Sequence, residues 1–230
     1  MKGDRRRNPR IWDTDWLVLR GLSRLIEEQV GRHVAPGACM VDLGCGSMPY
    51  QSMMQTMGID YHGADIDESA DLPIDRHGRV PLPAESIDTI LSIQVLEHVA
   101  DLDAYCAEIN RLMRPDGTLF LSTHGTWLYH PHPEDHRRWT RTGLVADLAA
   151  RGLTVQDLSP VVGPLATTTL IRLTGYAFVA RKLPLVGEAF AGLLAIIMNA
   201  RAALEDWLTP AQMRRDNACV YLVRAHKAAA

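Results

Sequence analysis

The sequence predicts an α/β fold: a mostly parallel sheet with helices on both faces and a helical insertion before the last strand. Three observations predict it. Short β-branched runs alternate with stretches of helical periodicity over residues 35–160. One run, residues 39–43, empties into Gly44-Cys45-Gly46, as a buried strand entering a tight loop does. An apolar, helix-like stretch, residues 160–208, then precedes a final strand-like run at 219–225.

Taken in order, residues 13–32 carry Trp16, Leu19, Leu22, Leu25, Ile26 and Val30 at helical spacing. Pro36-Gly37 breaks that helix, and the strand at 39–43 follows. A helix is expected over 50–57 and a second strand over 61–64, ending at Asp65. Residues 67–83, with three prolines and many charges, are expected to be loop. The run 87–93 is the third clear strand. Asp101 is placed to cap a helix over 101–113. Pro115-Asp116-Gly117 reads as a turn, and residues 118–122 as a strand. Thr140 is placed to cap a helix that runs to Ala150 and ends at Gly152, before a strand at 153–158. The expected division is an N-terminal tail and helix (1–34), a core (35–160), an apolar helical insertion or cap (161–215), and a last strand and tail (216–230).

Composition bounds the function. The chain has 230 residues, enough for one domain with a sizeable core, and its 47% hydrophobic content argues against disorder. A formal net charge of -3 points away from nucleic acid. The N-terminal cluster of Lys2, Arg5, Arg6, Arg7 and Arg10 around Asp4 reads as a solvated tail, with attraction to an anionic surface or substrate as the alternative. Four scattered cysteines without a CxxC pair read as reduced thiols. No charged segment followed by an apolar run opens the chain, so no secretory signal is expected and the location is read as cytoplasmic.

The segment from Val41 to Tyr50 carries the chemistry. It lies between a strand and a helix, at the carboxyl edge where open α/β sheets bind ligands. Gly44 and Gly46, flanking Cys45, let a flat nucleoside and an amino-acid tail approach the backbone. A dinucleotide fingerprint would need a third glycine where Pro49 stands, which weakens a nicotinamide oxidoreductase reading. S-adenosylmethionine has no pyrophosphate and does not need that glycine. About twenty residues on, Asp65 ends the second strand, placed to accept both ribose hydroxyls, with Asp67 in reserve.

The strings VDLGCGSMPY, YHGADID, LPLPAESIDTILSIQVLEHV and RLMRPDGTLFLSTHG, in this order, resemble the class I S-adenosylmethionine-dependent methyltransferases, and within them the ubiquinone/menaquinone-methyltransferase-like "type 11" set. The resemblance covers residues 35–160 and implies a Rossmann-like sheet, an S-adenosylmethionine cofactor and a methyltransferase activity that yields S-adenosylhomocysteine. It implies that Asp42, Gly44, Cys45 and Gly46 form the cofactor loop, that Asp65 holds the ribose, that Asp75 meets the adenine, and that Gln94 lies beside the methionine part. It places Glu97 and His98 in an "LEH" turn, where a helix cap is the favoured role. A second stretch, from Trp127 through His130, Pro133, Asp135, Arg138 and Thr140 to Gly143-Leu144, is similar to a narrower bacterial group associated with glycan or lipid-linked saccharide assembly.

The polar segment 124–139 follows a strand and so lies at the same edge. His130 or His136 is expected as base or acceptor orienter, then His124, with Asp135 to hold an imidazole. The ligand types His130, His132, Asp135 and His136 could suit a metal, but the resemblance implies none and none is expected. The acceptor is expected to be small or lipid-linked and methylated at a hydroxyl; a non-catalytic S-adenosylmethionine-binding regulator or scaffold is the alternative. The apolar insertion, flanked by Arg172, Arg181, Lys182 and Arg201, reads as a lid, a lipid groove with peripheral membrane contact, or a homodimer face, and the sequence leaves these open.

Overall fold

The computed structural model describes residues 2–228; the ends of the first and last expected segments, and the side chains of Lys2 and Asp4, lie outside the described residues. The elements in order are α1 (Lys2–Arg7), α2 (Trp16–His33), β1 (Cys39–Leu43), α3 (Gln51–Thr56), β2 (Asp60–Asp65), β3 (Leu72–Pro73), β4 (Ile87–Ile93), a 3-10 turn (Leu96–His98), α4 (Leu102–Leu112), β5 (Met113–His124), α5 (Arg141–Ala149), β6 (Leu153–Val161), α6 (Pro164–Ala180), α7 (Gly187–Leu208), α8 (Ala211–Asp216) and β7 (Val220–Lys227).

One seven-stranded sheet runs β3-β2-β1-β4-β5-β7-β6. The pairs from β3 to β5 are parallel, and β7 lies antiparallel between β5 and β6. Chain order reverses at β1, between β2 and β4, so the carboxyl ends of these strands open a crevice at the switch point. Helices cover both faces, over two buried clusters. One is built on α2, α6 and α7 (Leu22, Ile26, Leu170, Ala195), the other on α4 and α5 (Ile109, Leu112, Leu144, Leu148). The helical segments α6 and α7 precede the last strand, as the sequence predicts.

The caps also match. Asp101 accepts from the Ala104 N–H at 2.9 Å and Thr140 from the Gly143 N–H at 3.1 Å. Three local expectations change. The turn at Pro115–Gly117 is taken up within β5, where the pairing jumps from Ile87/Met113 to Thr89/Thr118. The loop at 67–83 contributes the edge strand β3, paired to Ala64 and Asp65. The edge strand β6, paired only to β7, runs on through Pro160, which the sheet tolerates at an edge.

The basic N-terminal segment is not a solvated tail from Arg5 onward. Arg5 reaches Asp15 at 2.6 Å and Asp13 at 3.2 Å, and Arg7 donates to Ser52 Oγ at 2.5 Å. Buried Asn199 of α7 donates to the carbonyls of Ile11 and Asp13 at 2.7 and 2.8 Å. Hydrogen-bond partners remote in sequence thus hold the segment against the body.

Candidate active site

A cavity of about 1070 Å3 opens at the carboxyl edge of the sheet. Its wall includes Gly44, Cys45 and Gly46 after β1, Asp65 at the end of β2, Gln94 after β4, and His124 at the end of β5. Four consecutive parallel strands therefore each deliver a residue to it. His98, Trp127, His130 and His132 complete one side, and Arg5, Arg6 and Asp15 close another.

The glycine loop is shaped by contact on one side and free space on the other. Gly44 has φ +74°, and a Cβ there would come within 2.6 Å of Val95 Cγ2. Gly46 has φ +52°, and a Cβ there would meet no protein atom. The Gly46 N–H donates to Asp65 Oδ2 at 2.8 Å, and the Asp67 N–H to Asp65 Oδ1 at 3.3 Å. The carboxylate keeps lone pairs for a ligand on the cavity side. Asp42 is buried behind the loop and is not a wall residue; it accepts from the Tyr61 hydroxyl at 2.5 Å. Burial pushes its pKa up to about 7, against the Tyr61 hydrogen bond. Burial, then the nearby Asp42, also push the Cys45 thiol up to about 12, so Cys45 is a small neutral wall residue. Asp75 is exposed and outside the wall. Its Oδ1 accepts from the His77 and Arg79 N–H groups at 2.8 and 2.9 Å, while its neighbour Ile74 faces the cavity. Gln94 has φ +58° and is tied to Ser122, its backbone N–H to the carbonyl at 3.0 Å and to Oγ at 3.1 Å.

The histidine side of the cavity is organised by Glu97. Its side chain is completely buried, and Oε1 lies 2.7 Å from His124 Nδ1, while Oε2 accepts from Thr123 Oγ1 at 2.8 Å. Burial alone would raise the Glu97 pKa, but the His124 hydrogen bond and charge, with the Thr123 hydroxyl, hold it below the ordinary value. A carboxylate can only accept, so His124 Nδ1 carries the hydrogen of this bond, and in the neutral imidazole the lone pair is then on Nε2. The cap reading of Glu97 does not hold: Asp101 caps the next helix, and Glu97 points inward. A polar residue one turn beyond a strand end, in the LEH string, was the only sequence signal for this.

His130 packs edge-on against His124 at 4.8 Å between ring centroids, and against His98 at 5.0 Å. Burial, then the charge of His124, push its pKa below the ordinary 6.5, with Asp135 opposing. Trp127 stacks on His124 at 6.1 Å. Asp135 is a support. Its Oδ2 accepts from the His130 N–H at 2.9 Å, and its two oxygens take Arg138 at 2.5 and 2.7 Å. The Arg138 hydrogen bonds, against burial, hold the Asp135 carboxyl well below the usual carboxylate range. Arg138 also donates to Leu128 O at 2.6 Å, pinning the loop. His136 is not a wall residue; its Nε2 lies 3.1 Å from Glu134 Oε2. Of the four expected catalytic candidates, the fold brings His124 and His130 together at the cavity, puts Asp135 behind them, and turns His136 away.

The sheet order, the loop and the cavity define a class I methyltransferase fold. A methyltransferase domain model matches residues 17–158, more than half of the chain, and the chain belongs to that family. S-adenosylmethionine is the cofactor of this class, and the residues present fit it: a carboxylate beside a loop whose second glycine leaves space open. The chain is 29% identical over 102 residues to a ubiquinone biosynthesis O-methyltransferase of Sinorhizobium fredii, covering 38% of this chain and 41% of that protein. It thus spans about two fifths of the length of the ubiquinone biosynthesis O-methyltransferases it matches. Two solved structures share the fold at 16% identity. The 1,6-didemethyltoxoflavin-N1-methyltransferase of Burkholderia thailandensis has TM-score 0.57, over 90% of this chain and 78% of that one. The [4+2]-cyclase SpnF has TM-score 0.58, over 90% and 82%.

Proposed function

We propose that this chain transfers the methyl group of S-adenosylmethionine to a hydroxyl oxygen of a small or lipid-linked acceptor, and that it stands with the type 11 set of its family. In this reading residues 35–160 hold the cofactor and residues 161–215 form a helical cap. The Gly44–Cys45–Gly46 loop lies along the cofactor, Asp65 accepts from its ribose hydroxyls, and Gln94 borders its methionine part. When bound, S-adenosylmethionine supplies a methyl carbon on a positively charged sulfur, which an acceptor oxygen takes while the electron pair of the broken bond stays on sulfur.

The observation that carries the assignment is His124 in the cavity wall with the carboxylate of Glu97, fully buried, bonded behind it. Glu97 fixes the imidazole tautomer, and His124 Nε2 takes the proton that the acceptor hydroxyl gives up. His130, whose pKa burial holds below the ordinary value, orients the acceptor against that nitrogen. Asp135 and Arg138 keep His130 in place, and Trp127 helps to exclude water.

The test is calorimetric titration with S-adenosylmethionine, wild type beside Gly44→Arg and Asp65→Ala, followed by S-adenosylhomocysteine release with a panel of phenols and saccharides. Micromolar binding that both variants weaken, with release driven by a hydroxylated acceptor, supports the reading. Tight binding without release on any acceptor favours the regulator or scaffold. No binding by the folded wild type overturns both.

A further inference from the structure

We propose that the tip of the α6–α7 hairpin is a docking surface for an anionic lipid bilayer. At the tip, Phe178, Val179, Leu183, Leu185, Val186 and Phe190 are all exposed, and Leu185 is fully so. They leave both helices and the turn between them, so the apolar surface is a protrusion with no single groove-filling edge. A bilayer accepts such a shape from every side, whereas a folded protein partner would need a matching socket.

The shape is built in. Ala177, Ala180, Ala191 and Ala195 are buried where the helices meet, and a Cβ at Gly187 would come within 2.5 Å of the Ala180 carbonyl. Small residues thus bring the helices close and push the large apolar ones outward.

Charge selects the occupant. The chain as a whole is formally -3, yet the tip carries Arg181 and Lys182 against Glu188, with Arg172 about two turns back along α6. Glu188 is engaged by Arg181 at 3.3 Å. Lys182 lies over the Phe178 ring at 4.7 Å, its stem on apolar surface and its ammonium at the edge. Arg172 shares a helix face with exposed Tyr176 and Val179. A net positive charge beside an apolar tip matches a headgroup layer with negative charge.

The mode is insertion at the interface. By length and composition α7 could cross a membrane. Polar ties toward its far end hold it to the body instead: Asn199 on the Ile11 and Asp13 carbonyls, Glu205 on Thr169 at 2.5 Å, and Asp206 on the Gly163 N–H at 2.6 Å.

The experiment is flotation of the full chain with phosphatidylcholine vesicles and with phosphatidylcholine–phosphatidylglycerol vesicles. Leu185→Ser and the pair Arg172→Gln/Lys182→Gln run alongside, with S-adenosylmethionine binding and circular dichroism as controls for folding. The wild type should float with the anionic vesicles. Leu185→Ser should bind about tenfold more weakly, the loss expected when one leucine-sized side chain no longer enters the bilayer. The double variant should lose the preference for phosphatidylglycerol, and so should wild type in high salt. No flotation with either vesicle, or equal flotation of Leu185→Ser, overturns the proposal. A dimer that Leu185→Ser splits, with no flotation, assigns the tip to a second copy and overturns it too. Vesicle binding is read without turnover, so this result stands apart from the methyl-transfer reading.

Discussion

Glu97 and His124, 27 positions apart in sequence, meet side chain to side chain at 2.7 Å inside the protein. Glu97 reaches there from the turn after β4, and His124 from the end of the neighbouring strand β5. The pair fixes which imidazole nitrogen is free, and so sets what the cavity wall can do to a proton.

Glu97→Gln keeps the size and the contact with Thr123 but can donate to His124 Nδ1. That stabilises the wrong tautomer. Turnover should fall by about 10²–10⁴ while the affinity for S-adenosylmethionine stays within about threefold. Acceptor kinetics beside calorimetry would check this. Equal turnover in the variant would remove Glu97 from a positioning role.

His124→Ala should lose turnover to a similar extent, whereas His136→Ala should change it by less than about threefold, since His136 pairs with Glu134 away from the cavity. Measuring both variants on one acceptor separates the histidines. A large loss from His136→Ala would reverse the assignment.

Gly44→Ala should destabilise the protein by about 1–3 kcal/mol, because its φ is +74° and the new Cβ would lie 2.6 Å from Val95 Cγ2. Adding Val95→Ala removes the collision but not the dihedral strain. The double variant should therefore recover part of the loss in a urea melt. Full additivity of the two losses would mean that the contact is not the cause.

Asp42 gives a pH signature. Its pKa rises from 3.8 unfolded to about 7 folded, so the folded state holds a proton that the unfolded state releases. The contribution to stability is greatest below the unfolded value, falls as pH rises through that window, and is flat above about 7. Asp42→Asn should flatten this dependence and add stability at about pH 8, by up to about 4 kcal/mol. Urea unfolding at about pH 5 and about pH 8 would measure it, and an unchanged slope would exclude Asp42 as its source.

Asp135 has the opposite sign. Its folded pKa is depressed, so the stability it contributes is present above the unfolded value and lost as pH falls through the folded one. Asp135→Asn should cost about 2–3 kcal/mol near neutral pH, below the range for a fully buried pair because Arg138 is partly exposed. It should also loosen His130, visible as a raised KM for acceptor with the cofactor affinity unchanged.

Much of this molecule was legible in its sequence. The strands at 39–43 and 87–93, the caps at Asp101 and Thr140, the glycine loop and the helical insertion all follow from side-chain period, turn chemistry and glycine freedom within a few residues. Those forces act between near neighbours, so a string of letters records them. Asp75 marks where local matching stops: its carboxylate closes on the N–H groups of its own loop and leaves the wall to Ile74.

The sequence by itself determined the alternation of strands and helices, the paired glycines after the first strand and the polar stretch at one edge. Only the tertiary structure decided which residues meet there. Whether Glu97 faces a cap or an imidazole depends on β4 and β5 lying side by side in register. Whether Arg5 and Arg6 trail in solvent or wall the cavity depends on Asp13, Asp15 and Asn199, the last carried in on α7 from the far end of the chain. Glu97 and Asn199 find these partners because burial leaves their polar groups no water to bond, and the partner that satisfies them is set by strand order and crossover, which no local window contains.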